Sequence, residues 1–402
     1  MTAAAIAALR RMLDGGSCAA VAVRLPDDCF IPVAVHQCIP TEDGVEVSVI
    51  KDGGDDPDVT HKAEIGVKLR VLRSHAGLPG CPQQPQGTAP PAAAYVFLYR
   101  GSGVGRVTKQ GLPVVVGEPA INPIPRQMLS RNMTEELLRR DSSEARRALA
   151  IRLRDVATSS QQNTSEPPVV LTLTGLAEEF SGLVLAVKVW VKDGEKLAAK
   201  TLNSRLGIVG GISILGTTGL VKPFSHQAYE ETIQSALSVA ASNGCRQLVL
   251  STGGKSERRA MQVCPDLPAE AFVQIADFYA FSLREAQKVG ALSVVHSVFF
   301  GKLVKMALSH DYTHAHKTSL DLNLVSQLAR NSGRDDLLCR QLAEANTARH
   351  AFELLRAEDA LDVIHAVAAL AVKNSVRLTA NQMTIRVLLF DYDGALVLDL
   401  SS

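Results

Sequence analysis

The apolar positions of this 402-residue chain follow two rhythms, and the change falls near residue 206. In the first half, short apolar and β-branched runs dominate. Residues 20–25, 45–50, 66–72, 94–99 and 183–191 read as strands, and 107–116 has the same look. Helical periodicity appears at 2–14 and, as a charge pattern, at 134–153. Loops are expected at 78–92, at the rigid break Pro123–Pro125 and at 158–168. Strands with few helices predict an α+β domain. From 206 onward strand and helix alternate. Strand 211–215 leads to helix 225–242, 246–251 to 255–263, 272–275 to 279–289 and 292–296 to 301–308. That alternation predicts a parallel sheet with right-handed crossovers. Helices fill 320–373, and Arg386–Phe390 is a last strand that either sheet can take.

The fold class is therefore α/β in the mixed α+β sense, with two domains. The expected division is an α+β sheet domain over 1–205 and a Rossmann-like parallel α/β domain over 206–310. A helical segment and final strand over 311–402 pack back on them. The chain is too long for one ordinary core, which agrees with two domains.

Composition removes several classes of function. Apolar content of 46% with 21% charge is that of a globular protein. A net charge of +1 gives no overall drive toward nucleic acid or acidic lipid, and 4% aromatics argue against a base-stacking surface. Seven scattered cysteines without a C-x-x-C pair read as reduced cytoplasmic thiols, not a disulfide frame or a zinc site. The longest uncharged run, Leu206 to Val221, is glycine-broken and too short for a membrane span. Arg10 and Arg11 follow the N-terminal apolar stretch, the reverse of a signal peptide, so residues 2–14 read as the first helix.

Candidate chemistry lies in six runs. Gly216, Thr217, Thr218 and Gly219 follow the proposed strand 211–215, where hydroxyls and N–H groups can hold a carboxylate, ribose or phosphate. A tight turn without ligand is the alternative. Ser251, Thr252, Gly253 and Gly254 precede Lys255-Ser256, but a P-loop would need glycine where Val249 stands. This run reads instead as a second wall of the same cleft. Asp277 ends the third strand, placed either to accept from a ribose or ammonium group or to cap a helix. Gly101-Ser-Gly-Val-Gly-Arg106 fails the dinucleotide fingerprint at its sixth position, and leaves a hairpin that carries Arg106 and Lys109. Lys51-Asp-Gly-Gly-Asp-Asp-Pro-Asp-Val-Thr-His61 does not match an EF-hand; it is a solvated acidic turn or a functional one. Glu118, Asn122 and Arg126 sit on a proline-rigid loop that suits a pocket wall or a connector. His314 and His316 lack an evident third metal ligand.

Taken in order, these runs resemble the CbiD family of cobalt-precorrin-5B C1-methyltransferases. The resemblance rests on Lys51–His61, Gly103–Pro113, Gly117–Arg126, Thr201–Gly219, Leu250–Gly254, Gly301-Lys302 and Thr313-His314, and covers nearly the whole chain. It implies S-adenosylmethionine as methyl donor, a cobalt-bound tetrapyrrole as acceptor, cobalt-precorrin-6A as product, and no metal site of the protein's own. It implies Asp55, Asp56 and His61 in the catalytic turn, facing the cleft between domains. Gly216–Gly219, Ser251–Gly254 and Asp277 would hold the cofactor. Lys109, Glu118, Asn122, Arg126, Lys222, Lys302 and His314 would meet the substrate, the cations facing its carboxylates. The protein is then expected to be cytoplasmic, with no nucleic-acid or membrane partner. A homo-oligomer and transient contacts with neighbouring pathway enzymes stay open. A non-catalytic tetrapyrrole carrier is the alternative function, and a nucleotide-binding oxidoreductase is disfavoured by the incomplete glycine fingerprints. Members usually begin with Thr-Thr-Gly-Thr-Cys-Ala, and this sequence starts at Met1-Thr-Ala-Ala-Ala5, about where that segment ends. The expectation is a retained fold with weaker carboxylate binding or slower methyl transfer than a version restored upstream.

Overall fold

A computed structural model of the chain describes residues 1–56, 58–73, 93–139, 142–157, 166–221, 225–313 and 321–402. The chain divides into two units, Met1–Phe224 and Ser225–Ser402.

Unit 1 begins with α1 (Thr2–Asp14), β1 (Ala20–Arg24), β2 (Phe30–Ala34), β3 (Gln37–Thr41), β4 (Gly44–Ile50) and β5 (Glu64–Leu72). It continues through β6 (Ala94–Arg100), β7 (Gly103–Val104), β8 (Arg106–Val107), α2 (Pro123–Leu138), α3 (Ser143–Asp155) and β9 (Val169–Leu173). β10 (Val184–Val191), α4 (Gly194–Ala198), β11 (Ile208–Val209) and β12 (Gly211–Ile212) complete it. Alternation explains the main sheet. Val45, Val47 and Val49 point to one side of β4 and are buried, as are Val67, Leu69 and Val71 of β5. The six strands lie in the order β3-β4-β5-β10-β6-β9, with β10 parallel to β6 and antiparallel to β5. α1 packs on β4 and β5, where its alanines at 3, 4, 5, 7 and 8 let the helix come close to the sheet. Tyr95, Phe97 and Tyr99 bury the other face of β6.

Three local expectations change. Pro123 is the first residue of α2, where its missing N–H costs nothing, so the prolines start a helix instead of breaking the chain. The charge pattern over 134–153 spans two helices, and α3 starts where Ser142 Oγ accepts the Ala145 N–H at 3.1 Å. Of residues 107–116 only Val107 is strand, as the second residue of β8, and Val115 and Val116 are exposed.

The larger correction concerns 211–215. Only Gly211–Ile212 is strand, and it pairs in parallel with β7 of unit 1. The division therefore falls after residue 224 rather than after 205. The glycines explain this pairing. A Cβ on Gly103, at φ 71°, would sit 2.0 Å from the Val191 carbonyl oxygen, and one on Gly211 would sit 2.3 Å from the Gly103 carbonyl. Both glycine runs thus serve close backbone crossings.

Unit 2 contains α5 (His226–Ser242), β13 (Gln247–Ser251), α6 (Gly254–Val263), β14 (Phe272–Gln274), α7 (Tyr279–Lys288), β15 (Ser293–Phe299) and α8 (Phe300–Ala307). Four helices follow, α9 (Asn323–Asn331), α10 (Asp336–Glu344), α11 (Ala348–Ala357) and α12 (Leu361–Leu378), then β16 (Thr384–Phe390) and β17 (Leu396–Ser401). The strand order is β14-β13-β15-β16-β17. The first four are mutually parallel and β17 closes the edge antiparallel. The near-continuous apolar runs Leu248–Leu250 and Ile385–Phe390 fit strands covered on both faces. The C-terminal strand thus joins this sheet. Among the described residues no helix is long and apolar enough to cross a membrane.

One buried group ties stability to pH. His296 of β15 is fully buried; its Nε2 lies 3.3 Å from Ser375 Oγ, which in turn lies 2.7 Å from the Tyr279 hydroxyl. Burial pushes the imidazole from 6.5 down to about 3. The folded chain holds it neutral, while the unfolded chain takes up a proton once pH drops below about 6.5. Its stabilisation is present above that value and lost as pH falls toward 3. Between about pH 6 and 4 the unfolding free energy should drop more steeply than in His296→Phe, by up to about 1.4 kcal/mol per pH unit. Chemical denaturation across that range checks this; equal slopes would exclude His296 as the source.

Candidate functional site

The strand order of unit 2 reverses beside β13. From β13 the chain goes to β14 on one side and to β15 on the other. Where strand order reverses, the helices leaving neighbouring strands go to opposite faces, and a crevice forms at the carboxyl ends. β13 ends at Ser251 and runs through Thr252-Gly253 into α6; β15 ends at Phe299 and runs directly into α8. A cavity of about 540 Å³ lies there, lined by Thr252–Ser256, Phe299, Lys302, Lys305, Thr313 and Tyr392, among others. That is within the size range of pockets for small-molecule ligands.

One wall is backbone. Gly253 is fully extended, and a Cβ built on it meets nothing within 4 Å; on Gly254 the nearest atom is 3.7 Å away. The loop is held from behind. Ser256 Oγ donates to the Gly253 carbonyl at 2.9 Å, and Ser297 Oγ donates to the Ser256 carbonyl at 2.8 Å. Ser251 Oγ is buried and has no hydrogen-bond partner among the described residues.

A second wall is charged. Lys302 Nζ contacts Asp277 Oδ1 and donates to the Thr313 carbonyl at 3.0 Å. Lys305, one helical turn on and 5% exposed, donates to the same carbonyl at 3.2 Å. Thr313 closes the cluster through its hydroxyl, 3.3 Å from Asp277 Oδ1, and its N–H, 3.0 Å from the Asp277 carbonyl. Burial lowers the Lys305 pKa, the Lys302 charge lowers it further, and Asp277 opposes both. Asp277 follows Ala276, which holds a left-handed φ of 46°. The cap residue of α7 is Phe278, without a side-chain bond, so Asp277 serves the ion pair and not the helix cap.

The third wall is apolar. Phe299 and Tyr392 lie stacked at 5.8 Å and 8°, with the Arg349 guanidinium 5.1 Å from the Tyr392 ring centre. Lys305, Phe299 and Tyr392 escaped the sequence reading. Lys305 had a signal, since it stands three residues after Lys302 on one helix. Tyr392 had none before β16 was placed beside β15.

The structure thus brings together Ser251, Thr252, Gly253, Gly254, Asp277 and Lys302. Gly216–Gly219 lie in unit 1, not at an end of this sheet. Thr217 to Gly219 are exposed, Thr218 Oγ1 bonds locally to Leu220, and Gly219 packs near Leu25 and Met128. Lys222 and His314 lie outside the described residues, as does His316.

The other candidates belong to unit 1. The acidic turn organises itself. Lys51 bonds Asp58 and Thr60, and His61 Nδ1 accepts the Gly53 N–H at 3.0 Å. Asp55 is exposed, and Asp56 and His61 are half-buried. Among the described residues neither the Asp55 nor the Asp56 carboxylate has a hydrogen bond or ion pair. Arg126 pairs with Glu118 at 2.7 Å and donates to the Ile121 carbonyl at 2.7 Å, so it braces its own loop. Asn122 caps α2 without a side-chain bond. The Lys109 side chain lies across Gly207, where a Cβ would meet it at 2.5 Å. Among the described residues no three His, Cys, Asp or Glu side chains gather as a metal site would need.

Parallel strands with helices between them, and a glycine-backed cavity with lysines on its wall where the strand order reverses, define an α/β protein. The chain belongs to the CbiD family. The CbiD profile matches residues 1–165 and 170–223, and the profile for the CbiD C-terminal domain matches 312–399. Curated relatives agree. A cobalt-precorrin-5B C(1)-methyltransferase of Nitratidesulfovibrio vulgaris is 38% identical over 98% of this chain and 89% of its own. One of the same name from Geobacillus sp. is 36% identical over 88% and 81%, and one from Leptospira borgpetersenii is 32% identical over 98% and 91%. A crystal structure of cobalamin biosynthesis protein (cbiD) from Archaeoglobus fulgidus is 22% identical over 83% of this chain and 81% of that one, with a TM-score of 0.32.

Proposed function

We propose that this chain is a cobalt-precorrin-5B C1-methyltransferase. It moves a methyl group from S-adenosylmethionine to C1 of the cobalt-bound tetrapyrrole, to give cobalt-precorrin-6A in anaerobic cobalamin biosynthesis. The observation that carries this reading is likeness along nearly the full chain, 38% over 98%, to a relative of that name. The parallel order β14-β13-β15-β16 supports taking unit 2 as a Rossmann-like donor domain.

The residues present fit the donor. Gly253 and Gly254 leave a cradle that any Cβ would fill, and Ser251 Oγ is a buried hydroxyl without a partner among the described residues. When bound, S-adenosylmethionine supplies a sulfonium-activated methyl group to the macrocycle carbon. The protein's part is alignment. The Thr252–Gly254 backbone fixes one end of the ligand, and Phe299 and Tyr392 give the cavity an apolar wall. Such positioning is worth about 7–11 kcal/mol of barrier, so a protein nucleophile is unnecessary. Lys109, Asn122, Arg126 and the neighbouring Glu118 are proposed for the carboxylates and amides of the macrocycle. Asp55, Asp56 and His61 are proposed for proton handling; with Nδ1 occupied by Gly53, the Nε2 edge of His61 is the one to act.

Mass spectrometry of cobalt-precorrin-5B incubated with the protein tests the reading. One added methyl group is expected only when S-adenosylmethionine is present. Macrocycle binding without methyl gain would instead identify a carrier.

The cradle makes a separate prediction. Gly253→Ala meets no clash in the folded chain, because the backbone is extended and the added Cβ has nothing within 4 Å. Its melting temperature should stay near that of the wild type, while S-adenosylhomocysteine affinity falls at least about tenfold through lost close approach. Calorimetric titration and thermal melts check both halves; unchanged affinity would remove the cradle from the site.

A further inference from the structure

One ribbon of unit 1 keeps an apolar side chain and a guanidinium together on its outer face. Val209 of β11 stands directly opposite Arg106 of β8, and Ile208 stands opposite Val107. Cross-strand partners share a face, so the ribbon has two sides. Val107 and Ile208 face inward and bury against Val114 and Ala120. Val209 and Arg106 face outward; Val209 is 56% exposed and the Arg106 side chain 48%. More apolar surface lies on the same loop cluster. The Gly117 N–H donates to the Val107 carbonyl, which ties the turn carrying exposed Val115 and Val116 to β8. Leu215, also exposed, follows Ile214, which bridges to Ile121. Single exposed apolar side chains are ordinary, but several gathered on one cluster mark a binding surface.

The guanidinium has donors to give. Among the described residues the Arg106 side chain makes no hydrogen bond; its ion-pair contact, Glu166 Oε1, is 3.9 Å away and beyond hydrogen-bond reach. Arg100 already holds both oxygens of that carboxylate at 2.7 Å. The spacing of Arg106 and Val209 is fixed from behind. A Cβ on Gly105 would sit 2.3 Å from Ile208 Cγ2, so glycine is what lets β8 and β11 close on each other. An apolar contact and an available fork of N–H donors are thus presented side by side on a rigid ribbon.

We propose that Arg106 and Val209 form a docking point for the tetrapyrrole, with Val209 against an edge of the macrocycle and Arg106 on one of its peripheral carboxylates. The docking point rests on the acceptor assignment above and goes beyond it by naming the anchor in unit 1. Charge complementarity selects this occupant. The acceptor is a broad apolar ring with carboxylates on its rim, and a planar guanidinium meets a carboxylate through two parallel N–H donors.

Equilibrium titration of the full chain with cobalt-precorrin-5B, followed by the visible absorbance of the macrocycle, tests this. Arg106→Met should weaken binding roughly tenfold, the lower end for a charge-assisted hydrogen bond. Arg106→Lys keeps the charge but loses the paired donors, and should fall between Arg106→Met and the wild type. Val209→Asp sets a carboxylate opposite Arg106 and should weaken binding at least as much as Arg106→Met. Melting temperature and S-adenosylhomocysteine affinity should match the wild type in all three, since both positions are on the surface of unit 1. Wild-type macrocycle affinity in Arg106→Met and Val209→Asp, or equal weakening of both ligands, would overturn the docking point and leave the methyltransferase reading standing. A changed oligomeric state with unchanged macrocycle affinity would overturn it too, and give the face to a second copy of the chain. A wild type that neither binds nor methylates the macrocycle would overturn both.

Discussion

The site depends on one topological constraint: β13 and β15 are adjacent and parallel, while β14 lies on the far side of β13. Backbone ladder bonds hold the two strand ends side by side. The helices that follow must leave to opposite faces, and the gap between them cannot be filled by either one. All else at the cavity is a consequence of that gap. Gly253 and Gly254 bring main chain to its edge without side-chain bulk. α8 starts with no intervening loop, which puts Lys302 and Lys305 on its first turns, at the mouth of the sheet. The tail enters the same sheet as β16, and so Tyr392 reaches the cavity from the far end of the chain.

Charge is placed with the same economy. The chain as a whole is nearly neutral, at +1. Locally it is not. In unit 1, Arg126 is matched by Glu118 and Arg100 by Glu166. In unit 2, two lysines and a single aspartate meet at the cavity. Self-matched pairs brace loops and contribute little specificity.

Much of unit 2 was legible in the sequence because its rhythm is local. Each β–α pair carries its own apolar run and its own helical stripe, so β13 through α8 emerged within one to three residues at most ends. Thr252–Gly254 and Asp277 were found because they follow those strands directly. The failures share a cause. Gly211–Leu215 reads as a strand feeding a helix, yet its partner is β7, more than a hundred residues earlier. Gly216 and Gly219, which suggested a ligand loop, lie in unit 1, where Gly219 packs near the side chains of Leu25 and Met128, contacts that only tertiary structure defines. Tyr392 was invisible for a similar reason, since its importance lies in what sits across from it.

The central claim is that the methyl donor occupies the reversal cavity of unit 2. Amide hydrogen exchange with and without S-adenosylhomocysteine tests it most directly. Ligand should slow exchange at Thr252–Glu257 and at Gly301–Lys305, and leave Gly216–Gly219 unchanged. Protection confined to residues of unit 1, with none around Thr252–Glu257, would contradict it.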